Sequence, residues 1–131
     1  MQILQPPSWA KPKGYSNGIG AKGRMIFVSG LVGWDANGQF PQPDSFVAQA
    51  ELALKNIVAV LAEGHAKPEH IVRMTWYVVD KHEYLQSAKQ LGALYREIIG
   101  RHFPAMTAVQ VVALMEDRAR LEIEVTAVVP E

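Results

Sequence analysis

The chain contains no cysteine. That excludes disulfides, thiol nucleophiles and thiolate metal sites together, and mildly favours a cytoplasmic location. An excess of either charge is also missing, because 13 Lys and Arg offset 13 Asp and Glu. Proteins that live on phosphate contacts carry a basic surplus, so nucleic acid is not an expected partner. No apolar run approaches the ~20 residues that span a bilayer. The opening stretch, MQILQPPSWAKPKG, lacks the charged-then-apolar layout of a leader peptide. A soluble cytoplasmic protein with no membrane partner is therefore expected. The sequence has no G-x-S-x-G elbow, which removes the usual serine-hydrolase signature. Its histidines (His65, His70, His82 and His102) show no spacing that forces two onto one side of an element, so no metal site is predicted.

One motif is set aside. Gly18 to Gly23 matches the string G-x-G-x-x-G, but a dinucleotide site needs a strand before it and a helix after it. The residues that follow, Met25 to Gly30, have a strand pattern instead. No cofactor is expected.

What is present fits one domain over residues 1–131, with 49% apolar and 20% charged residues. The first 23 residues are rich in Pro and Gly and leave room only for a short edge strand near Tyr15–Ile19. Met25 to Val32 reads as a buried strand, followed by a turn at Trp34–Gly38 with its Asn37–Gly38 dipeptide. Asp44 or Ser45 can cap a helix whose apolar positions are Val47, Ala50, Leu54, Ile57 or Val58, and Leu61, with Gln49, Lys55 and Glu63 elsewhere. Gly64 is a suitable left-handed stop. Ile71 to Val79 alternates as a strand, with Val72, Met74, Trp76 and Val78 on one face and Arg73, Thr75 and Tyr77 on the other. Asp80 caps a second helix running to about Gly100.

Two alternating runs, Thr107–Leu114 and Arg120–Val129, flank the polar break Glu116–Asp117, a pattern that predicts a β-hairpin. In the second run Leu121, Ile123, Val125, Ala127 and Val129 point one way, with Arg120, Glu122, Glu124 and Thr126 opposite. The element order β, β, α, β, α, β, β gives an α+β fold in which two helices cover one face of the sheet. The other face carries Arg73, Thr75, Tyr77, Glu122, Glu124 and some aliphatic residues. Two carboxylates there also suit a plain solvated face, but the apolar share suits a second subunit. Arg73 is placed to pair with Glu124, and Glu122 can pair with Arg120 or Arg73.

With these pieces in place the chain resembles the Rid (reactive-intermediate deaminase, YjgF) family over nearly its whole length. The resemblance rests on Gly14-Tyr-Ser16, Phe27-Val-Ser-Gly30, Asn56-Ile-Val-Ala-Val-Leu61, the strand ending in Asp80, Phe103-Pro-Ala105 and Leu121-Glu-Ile-Glu-Val-Thr-Ala127. It implies a chorismate-mutase-like α+β fold, assembled as a homotrimer with ligand clefts between subunits. It also implies that Glu122 is the catalytic carboxylate, assisting water at an imine carbon. Tyr15, Ser29, Gly30, Met106 and Thr107 fall on ligand-binding positions of the cleft. In deaminating members an Arg follows the Pro-Ala and grips the substrate carboxylate, and here that position holds Met106. The implied function is an enamine or imine deaminase, a hydrolase acting on C=N bonds of small reactive metabolites, with a substrate range altered at Met106. The alternative is a trimer that binds a small metabolite without catalysis.

Overall fold

A computed structural model describes residues 1–131. Strand β1 (Gln2–Leu4) pairs antiparallel with β2 (Gly18–Gly20), so the glycine motif lies in a small ribbon rather than at a helix N-terminus. The main sheet contains β3 (Arg24–Val32), β4 (Ile71–Val78), β5 (Ala105–Gln110) and β6 (Leu121–Val129), in the order β3-β6-β4-β5. The helices are α1 (Phe46–Glu63), α2 (Lys81–Gln86) and α3 (Ala88–Ile98). This is the expected α+β arrangement. No helix is long and apolar enough to cross a membrane.

The expected hairpin is not there. β4 lies between β5 and β6, pairing parallel with β5 and antiparallel with β6. The cause is the helical connection between β4 and β5, which returns the chain so that the next strand runs parallel to the one before the helices. β6 then inserts between β3 and β4, where Leu121, Ile123 and Ala127 are completely buried. β5 is left at the edge and stops at Gln110. The predicted strand residues Val112 and Leu114 lie in the connection beyond it, with Val112 fully exposed.

Helix α1 starts as expected, with the Ser45 hydroxyl accepting from the Ala48 N–H at 3.0 Å. Its stripe of Phe46, Ala50, Leu54, Ile57 and Leu61 is buried against the sheet. Gln49 departs from the sequence reading and is wholly buried. Its amide donates to Asp44 Oδ1 and the Arg118 carbonyl (both 3.0 Å) and accepts from the Arg120 N–H at 2.8 Å. A buried amide is tolerated when its partners are all supplied, and here it ties α1 to the chain entering β6. Gly64 is not left-handed (φ −92°); His65 is, at φ +56°. Glycine at 64 answers to a close approach, since a Cβ there would sit 2.8 Å from Ile26 Cδ1.

Asp80 caps α2, its Oδ1 accepting from the His82 N–H at 2.8 Å. The single second helix expected from the sequence is two helices, broken at Ser87. That residue has φ −93° and ψ 5°, and its N–H is shared between the Glu83 and Tyr84 carbonyls. The left-handed Gly100 (φ +101°) stands two residues past the end of α3.

All three strands β3, β4 and β6 give one face to the helices, through Val28, Met74, Trp76, Val78, Ile123 and Val125. The register puts Phe27, Thr126 and Arg73 in one row of the opposite face, and Thr107, Thr75 and Glu124 in the next. Tyr77, Glu122 and Val109 share a third row. Phe27 is 71% exposed there.

Candidate functional site

The cleft residues expected from sequence divide between the two faces of the sheet. On the helix side a pocket of about 340 Å³ opens between α2–α3 and the β4–β5 edge, with Tyr15, Trp76, Leu91 and Met106 in its wall. Met106 pairs in register with the buried Met74, which fixes it on the helix side. Tyr15 is brought there by its neighbour. Ser16 is buried, and its hydroxyl donates to the Phe103 carbonyl while its N–H donates to that of Pro104. The stretch before β5 is anchored again by Tyr95, whose hydroxyl donates to the His102 carbonyl at 2.6 Å and whose ring stacks on Phe103. Burial raises the Tyr95 phenol above the usual tyrosine range and raises that of Tyr84 as well. Both rings therefore stand in the pocket wall as neutral phenols.

Glu122 lies on the other face. A Cβ on Gly30 would collide with its carboxylate, so glycine at that position gives the carboxylate its resting place against the backbone. Glu122 makes no ion pair and no hydrogen bond within the chain, against the expected pairing with Arg73 or Arg120. Arg120 instead pairs with Glu83. Glu124 does not pair with Arg73 either, since it accepts from the Tyr77 hydroxyl at 2.6 Å. That hydrogen bond, followed by burial and the charges of Glu124 and Glu122, pushes the Tyr77 phenol above its ordinary value. Ser29, Arg73 and Glu124 line a second cavity of about 360 Å³ on this face, and Thr107 faces the same side.

One subunit thus gathers Tyr15 and Met106 in a pocket, and Ser29, Gly30, Thr107 and Glu122 on the reverse side of the same sheet. The sequence reading missed the other pocket residues, Lys13, Gly92 and Arg96 among them. Gly92 carried a signal, because a glycine inside a helix costs about 1 kcal/mol relative to alanine and needs a reason to be there.

The family model described as endoribonuclease L-PSP matches residues 8–129. A 2-iminobutanoate/2-iminopropanoate deaminase from Capra hircus is 33% identical over 106 residues, covering 80% of this chain and 73% of that protein. The solved structure of a Rid-family protein from Yersinia pestis superposes with a TM-score of 0.82 at 29% identity, covering 98% of each chain. E. coli TdcF, solved with bound serine, gives a TM-score of 0.68 at 26% identity over 98% of this chain and 99% of that one. With the family model spanning nearly every element of the fold, this chain belongs to the Rid (YjgF, L-PSP) family.

Proposed function

We propose that the chain is an imine- or enamine-hydrolysing member of its family, acting as a homotrimer with its sites between subunits. The observation that carries this reading is the Glu122 carboxylate. It rests on Gly30, without a partner of its own, on the face opposite the Tyr15–Met106 pocket. A carboxylate free of internal partners is available to a water molecule. A single subunit cannot offer that carboxylate and the pocket to the same substrate. A second copy docked on the open face can. The exposed Phe27 and Met25 supply apolar area for such docking. Relatives named as 2-iminobutanoate/2-iminopropanoate deaminases support the reaction class.

In this reading Glu122 takes a proton from water as the water oxygen bonds to the imine carbon. The C=N pair moves to nitrogen, which takes the proton back from Glu122, giving a carbinolamine. Glu122 then accepts the carbinolamine hydroxyl proton and passes it to nitrogen as C=O forms and the C–N bond breaks. One imine and one water thus yield one carbonyl compound and one ammonia, with Glu122 restored as a carboxylate. Ser29 and Thr107 contribute hydroxyls on the same face as Glu122. Met106 brings a soft apolar wall where an Arg would hold a carboxylate. Short 2-imino acids are poor substrates for that reason, because a charge-assisted bond from Arg contributes about 1.5–3 kcal/mol. The endoribonuclease of the family description fits this chain less well, since its formal net charge is zero.

The test is ammonia release from freshly generated imines by the purified protein, with light scattering on the same sample. A mass near three times 14.5 kDa with turnover supports the proposal. A stable monomer contradicts the architecture, and a trimer that binds imines without releasing ammonia leaves the non-catalytic binder.

A further inference from the structure

Chemically, the helix-side pocket has a one-sided character. Eight of its twelve lining residues are apolar, and none is acidic. Its charged members are Lys13 and Arg96, both exposed, and neither takes part in an ion pair or a hydrogen bond within the chain. Tyr15 and Tyr84 add hydroxyls with no partner in the chain, whereas that of Tyr95 is committed to His102. Every side chain free to hydrogen-bond a ligand can thus donate, and the two that can only donate are cations. The volume of about 340 Å³ is within the range of small-molecule sites. It exists partly because Gly92 has no side chain. A Cβ there would meet only Arg96 Nη1, at 3.4 Å, so Arg96 lies directly beside the opening that Gly92 leaves.

We infer that this pocket selects a small organic acid with an aryl or branched-alkyl body. The body packs against Met106, Leu91 and Trp76, and the anionic group is held at the mouth by Arg96 with Lys13. The inference rests on the pocket being the ligand site of the proposed function, and it names the substrate class of that site. The carboxylate grip lost at Met106 is supplied from α3 instead, and the inner wall becomes free to accept bulk. A guanidinium also discriminates strongly between a carboxylate and its neutral amide, through paired charge-assisted bonds.

Calorimetric titration of the full chain with three probes tests this: 3-phenylpropanoate, its uncharged amide 3-phenylpropanamide, and propanoate. The aryl acid is expected to bind at least about tenfold more tightly than either of the others, the margin of one charge-assisted contact. In Arg96→Gln the preference over the amide should shrink to about threefold or less, the remainder being the share of Lys13. Gly92→Leu should abolish binding of both aryl probes, with a thermal melt confirming that the variant folds. Equal binding of acid and amide overturns the inference. So does an unchanged preference in Arg96→Gln, a folded Gly92→Leu variant with normal affinity, or no binding of 3-phenylpropanoate at millimolar concentration. Ammonia release is not among these readouts. Binding of the predicted pattern without turnover would refute the hydrolase and leave the ligand class standing, while turnover of short imines with no aryl preference would do the reverse.

Discussion

Met106 and Thr107 are consecutive residues of one edge strand, yet they serve different surfaces. Met106 enters an apolar pocket with cations at its mouth, and Thr107 shares a row with Glu124 on an open, half-polar face. The pocket side is built by burial, with Trp76, Leu91 and Tyr95 all at least nine-tenths buried. The open side is built by pairs and vacancies, with Tyr77 bonded to Glu124 while Glu122 and Arg73 lack partners. In the proposed reading, recognition and chemistry are separated by the thickness of a sheet, and the proposed trimer is what brings the two together.

The sharpest way to break this division is to damage one side and watch the other. Glu122→Gln should lower imine hydrolysis by about 10²-fold or more, the usual contribution of a general base. Affinity for 3-phenylpropanoate should stay within about twofold, because the pocket is untouched. Parallel rate and titration measurements decide it, and a matched loss of affinity would put Glu122 in the pocket's own wall.

Next in size is the buried amide that joins the helical layer to the start of β6. Gln49→Leu strands the Arg120 N–H and the Arg118 carbonyl. Both groups are only partly buried, which holds the cost of each to about 1–2 kcal/mol, so urea denaturation should show a loss of about 2–4 kcal/mol. A loss under about 1 kcal/mol would mean that water replaces the amide.

A smaller effect, about tenfold, is expected from Met106→Arg on short 2-imino acids, since it returns a cation to the inner wall. The gain should vanish in the double change with Glu122→Ala. A folded Arg variant with no gain would place the substrate carboxylate elsewhere, as the Arg96 inference requires for the natural ligand.

The smallest effect belongs to alkaline pH. On the pocket side Tyr95, buried, and Tyr84, half-buried, have raised folded-state pKa values, and so does Tyr77 on the open side. Their neutral forms are favoured by folding. The resulting stability is complete below the unfolded tyrosine value of about 10 and is lost as pH rises through the folded values. Stability should therefore fall above about pH 10, and Tyr95→Phe should flatten the decline more than Tyr77→Phe. Equal slopes for the two variants would erase the contrast between the buried side and the open side.

Local patterns were legible in the sequence. The α1 stripe, the Ser45 and Asp80 caps and the alternation of β6 each follow from side-chain spacing within one element. Pairing was not legible, because it depends on where a connection returns the chain. The helices between β4 and β5 made a parallel edge strand out of an apparent hairpin. Gln49 was misread because its partners, Asp44, Arg118 and Arg120, come together only when α1 meets the entry to β6. For the site, family likeness named residues on both faces, while their separation needed the register that sets Glu122 beside Tyr77 and Met106 beside Met74. Arg96 and Lys13 went unnoticed because nothing in their own neighbourhoods marks them; only the folded pocket brings them together.

The most direct measurement is complementation in mixed trimers. Glu122→Gln keeps an intact pocket and loses the carboxylate, and Gly92→Leu keeps the carboxylate and fills the pocket. Each alone should be nearly inactive. Unfolded together in equal amounts and reassembled, they should recover about a quarter of the wild-type rate, the share of interfaces that pair an intact pocket with an intact neighbouring carboxylate. A mixture as inactive as its components, with native mass spectrometry confirming mixed trimers, would mean that each site is built within one subunit.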